Sequence, residues 1–243
     1  MAETLQSHIL QHLQQVELER QRRWADPALD ARVQALKRYQ QQRFARSYAD
    51  LLNSPRYAAA ARFFLDELYG PGDFSRRDAQ FARVVPALVR LFPEQVVQTV
   101  ARLAELHALS ESLDTEMALA LNTPQWSAAS YVQAWQAVGR PAQRQQQIEQ
   151  TLAVGAALDE LTHKPLLRQA LRMMRGPAAA AGLSELQHFL ERGFDTFKAM
   201  KGAQDFLGTV RRREQELAAA LFSATAAVGT DCPAGDERLG QLP

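Results

Sequence analysis

The chain has 243 residues, 47% of them hydrophobic, and a formal net charge of +1. That is enough to build one large domain or two small ones, and a balance so near neutral argues against a protein drawn as a whole to nucleic acid or membrane. One cysteine, Cys232, leaves no intramolecular disulfide and suits a reducing compartment. The opening MAETLQSHILQHLQQ lacks the basic-then-apolar order of a signal peptide. No apolar run approaches the ~20 residues of a membrane span, so a cytoplasmic location without membrane contact is expected. Ala (41) and Leu (32) dominate and Ile occurs twice, so strands are not expected.

In chain order, Leu5, Ile9, Leu13 and Val16 give residues 3–24 a narrow apolar stripe at helix spacing. Such a stripe needs a cover, from the protein's own body or from a second copy. The N-terminal helix, 1–26, is therefore a candidate peripheral element and a candidate self-association face. Asp26 caps and Pro27 opens a helix to about Leu52, with Leu29, Val33, Leu36, Phe44, Tyr48 and Leu51. Residues 20–62 hold ten Lys/Arg against three Asp/Glu, a local charge of +7. Arg20, Arg22, Arg23, Arg32, Lys37, Arg38, Arg43 and Arg46 form a candidate partner-binding face for an acidic protein or nucleic acid. No nucleic-acid motif accompanies them, and a solvated face is the plainer reading.

Residues 54–93 are two punctuated helices. Ser54 and Pro55 open the first, which carries Tyr57, Ala61, Phe64 and Leu68 on one stripe, widened by Phe63 and Leu65. Gly70 is expected as a left-handed stop and Pro71 prevents continuation. Ser75 and Asp78 read as a capping box for the second. It buries Phe81, Val84, Val85, Leu88 and Leu91–Phe92, is expected to kink at Pro86, and exposes a ridge of Arg76, Arg83 and Arg90. The string FFLDELYGPGDF, followed by RRDAQFARVVPALVRLFP and LAELHALSESLD, resembles a family of uncharacterised bacterial helical proteins marked by F-F-L-x-E-L-Y-G-P. The resemblance covers most of residues 38–215. It implies an all-α fold and no assigned activity.

A helix from Glu94 to about Leu109 places His107 on the stripe of Val96, Val100 and Leu103. Ser110 or Ser112 is read as the cap of a separate helix with Leu113, Met117, Ala120 and Leu121. Thr123-Pro124 opens a helix with Trp126, Tyr131, Trp135 and Val138, ending at Gly139, and Pro141 opens another to about Leu161. A short apolar helix follows Pro165. Leu183, Leu186, Leu190, Phe194 and Phe197 stripe the next. Gly193 within it costs about 1 kcal/mol relative to Ala and so marks a close helix crossing. The last helix runs over about 203–224, and residues 225–243 read as a disordered tail. The fold class is all-α: about nine helices in one bundle-like domain over 27–224, without a sheet.

Chemistry is sparsely marked. Glu160-x-x-His163 and Glu185-x-x-His188 have di-iron spacing, but the first ends at Pro165 and the second faces away from its stripe. His8 and His12 share a face without a third ligand. Neither pattern predicts a metal. There is no G-x-S-x-G elbow, no phosphate loop and no dinucleotide fingerprint. Asp66, Glu67, Tyr69, Asp73, Asp78 and the arginine ridge are candidates for a polar cleft, with interhelical ion pairing the commoner outcome. His107 is the notable single residue. LAELHALSESLD resembles the proximal segment of globin-like proteins. That likeness implies an axial haem ligand, with Gln80, Phe63 and Phe64 on a distal side. A core histidine bonded to a neighbour is the plainer reading. The composite expectation is a non-enzymatic interaction or regulatory scaffold that self-associates, without a cofactor. A haem or small-molecule binder around His107, or a nucleic-acid binder through residues 20–62, are the alternatives.

Overall fold

The computed structural model describes residues 2–68, 70–224 and 239–243; Tyr69, and residues 225–238 of the expected tail with Cys232, lie outside them. The described residues hold twelve α-helical segments and no strand: α1 (Ala2–Trp24), α2 (Pro27–Ser47), α3 (Ala49–Leu52), α4 (Ala58–Phe63), α5 (Ser75–Leu91), α6 (Glu94–Leu121), α7 (Ala128–Val138), α8 (Pro141–Thr162), α9 (Pro165–Met173), α10 (Arg175–Ala180), α11 (Ser184–Ala199) and α12 (Gln204–Ser223). Three of these, α3, α4 and α10, have six residues or fewer, and the expected count of about nine is close. None is long and apolar enough to cross a membrane.

Several boundaries follow the local chemistry read from the sequence. Asp26 Oδ1 accepts from the Ala28 and Leu29 amides at 3.1 Å, and Pro27 sits where its missing N–H is harmless. Pro141 opens α8 in the same way. Others differ. Ser127, not Thr123, caps α7, its Oγ accepting from the Ser130 amide at 3.2 Å. Asp73, not Ser75, serves the start of α5, accepting from the Ser75 amide at 2.9 Å, and α5 runs through Pro86 to Leu91. After α4 the backbone widens into a π-turn over Phe64–Leu68. Among the described residues the positive-φ glycines are Gly139, Gly182 and Gly202, and Gly70 is not one of them. It is needed instead for close approach, since a Cβ there would lie 2.6 Å from the Asp66 carbonyl oxygen.

The largest correction concerns α6. Ser110-Glu111-Ser112 does not start a new helix: residues 94–121 form one helix of 28 residues. Capping chemistry there is outweighed because no Gly or Pro interrupts the ladder. This helix is the axis of the fold. It touches α1, α2, α5, α7 and α8.

Helix α1 is not peripheral. Its stripe of Ile9, Leu13 and Val16 is buried, and Ile9 and Leu13 pack with Val85 of α5 and Val97, Ala101 and Ala104 of α6. The phenylalanine pair of the motif sits in a second cluster, with Phe64 5.5 Å from the Phe206 ring and 6.2 Å from that of Phe197. Gly193 does mark a crossing: a Cβ there would lie 3.1 Å from Phe63 Cζ. A third cluster joins Leu36, Met117, Trp135 and Leu221 with Leu239 and Leu242. The last five residues of the expected tail are therefore folded onto the body, where Arg46 Nη1 donates to the Leu242 carbonyl at 2.6 Å.

Candidate functional site

One face of α6 changes character along its length. Val96, Val100 and Leu103 are apolar; His107, Glu111 and Asp114 follow at i, i+4 and i+7 on the same side; Met117, Ala118 and Leu121 close it. Helix α8 runs antiparallel beside it, tied by Arg140 to Glu116 at 2.9 Å, Gln147 to Ser110 at 2.8 Å and Lys164 to Gln95. That register aligns like with like. Arg144 and Gln147 oppose the ionisable turns of α6, while Leu158 and Leu161 oppose its apolar turns.

The ionisable turns sit in a network of buried charges. Asp78 of α5 is its first hub: Arg20 of α1 lies 2.5 Å from Asp78 Oδ2, and His107 Nε2 donates to the same oxygen at 2.8 Å. Burial opposes ionisation of Asp78, but His107 and Arg20 outweigh it and hold the carboxyl below its usual range. Arg77 approaches Asp78 at 3.6 Å and Glu67 at 3.4 Å, and is held between the Phe74 and Phe189 rings at 4.2 and 4.3 Å. Glu111 is the second hub, 2.6 Å from both Arg23 of α1 and Lys37 of α2. Burial again opposes its charge, and Lys37, Arg23 and His107 overcome it, bringing the carboxyl down to about 2. Arg43 of α2 pairs with Glu214 of α12 at 2.5 Å, where the Tyr48 hydroxyl also donates at 2.8 Å. Asp114, three residues beyond Glu111, behaves oppositely. Burial, reinforced by Glu111, pushes it up despite Lys37, and Gln40 donates to it at 3.2 Å.

Beside this belt lies a cavity of about 340 Å³, within the range of about 300–1,000 Å³ of small-molecule pockets. Its charged wall includes Lys37, Arg43, His107, Glu111, Asp114 and Glu214. Its apolar wall comes from α5, α6, α8, α9 and α11 through residues such as Phe81, Val100, Leu103, Leu161, Leu171 and Phe194. Along α6 the lining runs from Val96 to Asp114, about 27 Å at 1.5 Å per residue. The space is a slot with an apolar stretch and a charged stretch.

The predicted site residues divide. His107 and Phe63 line the slot. Gln80 is turned aside, its Oε1 accepting from the Leu186 amide at 3.0 Å, and Phe64 is core. The axial nitrogen of a haem ligand would have to leave Asp78, so the distal set proposed around His107 is not assembled. Of the basic stretch, Arg20, Arg23, Lys37 and Arg43 point inward onto carboxylates, and Arg46 onto the C-terminal segment. Arg22 and Arg38 are exposed and Arg32 is half-buried. The local charge of +7 is thus partly offset by the distant carboxylates Asp78, Glu111 and Glu214 and is no continuous surface. The polar cleft around the motif also forms differently. Arg77 joins Glu67 to Asp78, while Arg76, Arg83 and Arg90 stay on the surface. Among the described residues no group of His, Cys, Asp or Glu could hold a metal.

Glu111, Asp114 and Glu214 were missed by sequence reasoning. The available signal was the position of Glu111 and Asp114 at four and seven residues beyond His107, on the stripe itself. A family model described as a domain of unknown function, DUF8198, matches residues 19–228, and the chain belongs to that family. No curated protein and no solved structure matches the chain.

Proposed function

We propose, for this member of a domain family without assigned function, that the slot between α6 and α8 is a binding site for a small molecule with an apolar body and a polar head. The observation that carries the reading is the juxtaposition in one 340 Å³ space of an apolar wall and a belt of buried ionisable groups centred on His107 and Glu111. A belt made only for stability is a poor investment, because desolvating paired charges consumes most of what their attraction returns. Convergent polar groups in an apolar cavity are the general description of a ligand site. The test is uptake of an anilinonaphthalene sulfonate probe by the folded chain. Saturable uptake near one probe per chain is expected, abolished by Ala104→Phe, which narrows the slot. Uptake that is absent, or unsaturable and unchanged by the substitution, overturns the reading.

A second reading, self-association, draws on a different surface from the one expected. The α1 stripe is covered by α5 and α6, but Leu166 and Met173 of α9 are 77% and 70% exposed, with Met174 beside them. If this strip meets a second copy, light scattering gives a dimer that Leu166→Asp returns to monomer. A monomer at every concentration rejects it.

A further inference from the structure

We propose that the ligand of the slot is an amphipathic anion, a molecule of fatty-acid type whose carboxylate enters the ionisable belt while its chain lies along the apolar wall. The proposal rests on the slot being a ligand site and adds the charge of the head. Six cations line or brace the belt: Arg20, Arg23, Lys37, Arg43, Arg77 and Arg144. Apart from the half-exposed Glu17, 4.0 Å from Arg20, five carboxylates meet them: Glu67, Asp78, Glu111, Asp114 and Glu214. All eleven belong to buried or half-buried residues. Leaving aside the half-exposed Glu17, these cations outnumber the carboxylates by one with Asp114 ionised and by two with it protonated.

The sharing shows where the surplus sits. Glu111 serves both Arg23 and Lys37 at 2.6 Å, and Asp78 serves Arg20, Arg77 and His107. Arg23 Nη1 is buried without a hydrogen bond among the described residues, and so is Glu111 Oε2, although Arg23 Nη2 lies 2.6 Å from that oxygen. The Lys37 ammonium, which lines the slot, carries three donors and places one on Glu111. Cations held out of water in excess of their counter-charges are costly, and a ligand carboxylate on Lys37 relieves that cost. A ligand ammonium would instead add a seventh cation. A neutral head would leave the surplus unaltered. Apolar residues from Val96 to Leu103 on α6 and Leu158 to Leu161 on α8 receive the chain.

The experiment is isothermal titration of the intact chain with dodecanoate, dodecanol and dodecylammonium, each below its micelle concentration. Dodecanoate is expected to bind at least 10-fold more tightly than the other two. Lys37→Met is expected to lose that preference and Lys37→Arg to keep it. Equal binding of acid and alcohol, or tighter binding of the ammonium, overturns the anionic class and leaves the slot standing as a ligand site. So does saturable dye uptake with none of the three amphiphiles bound. Failure of the dye and all three amphiphiles removes the site itself.

Discussion

Glu111 is the residue on which the charge network turns. Its carboxylate lies between Arg23 and Lys37, with both distances at 2.6 Å. A carboxyl lowered from its ordinary 4.5 to about 2 stabilises the folded state fully above pH 4.5 and loses that contribution as the pH falls toward 2. The amount is on the order of 3 kcal/mol. Glu111→Gln keeps the shape but leaves two cations short of charge, and is expected to cost about 3–5 kcal/mol. Urea titrations of both proteins from pH 7 to pH 2 check it: the difference is expected to shrink on the acid side. A constant difference would mean that Glu111 acts through packing alone. Asp114 has the opposite sign, since a raised carboxyl favours the fold below its ordinary value and penalises it above. Asp114→Asn is therefore expected to be neutral or stabilising at pH 7. His107 was legible as the odd member of an apolar stripe. Glu111 and Asp114 were not, because two carboxylates on a helix look like a solvated turn until Arg23, Lys37 and Gln40 arrive from helices some 70 to 90 residues away in sequence.

At the scale of elements, some helix starts were readable from their punctuation, as at Asp26-Pro27 and Pro141, while Thr123-Pro124 misplaced the start of α7. The reading failed at Ser110–Ser112, where the apolar pattern stops for a turn and a half. What looked like a break between helices is the stretch of α6 that faces the slot. The role of α1 was also hidden, since a narrow stripe does not say what covers it. Because α5 and α6 cover Ile9, Ile9→Ala is expected to cost about 2–5 kcal/mol, whereas Leu18→Ala, on an exposed position, should stay within about 0.5 kcal/mol. The melting temperature of Leu166→Asp, in which the exposed α9 strip is broken, should not vary with protein concentration. A concentration-dependent value would assign the cover to a second copy. The C-terminal residues are a parallel case. Leu242→Ser uncouples the segment that Arg46 grips and leaves the surroundings of Leu36 and Leu221 less covered. A loss of about 1–3 kcal/mol in urea unfolding is expected, and no loss would mean that the segment contributes nothing to the body.

For the whole molecule, fold class was written in composition and three-to-four-residue periodicity, and neither contains the cavity. A slot bounded by α2, α5, α6, α8, α9, α11 and α12 is a product of how helices distant in sequence cross. Its apolar wall was read as core, because lining a cavity and filling a core require the same residue types. The two uses separate under substitution. Ala218→Leu adds volume where α12 borders the slot, and is expected to raise the unfolding free energy of the empty protein by about 0.5–2 kcal/mol while weakening ligand uptake. A destabilised variant with unchanged uptake would place that residue in packed core instead. The most direct measurement of the central claim is native mass spectrometry of the full chain purified from its own source under non-denaturing conditions. The slot predicts a second series of peaks, heavier by one small molecule and released on collisional activation. The bare chain mass alone, in every preparation, would contradict it.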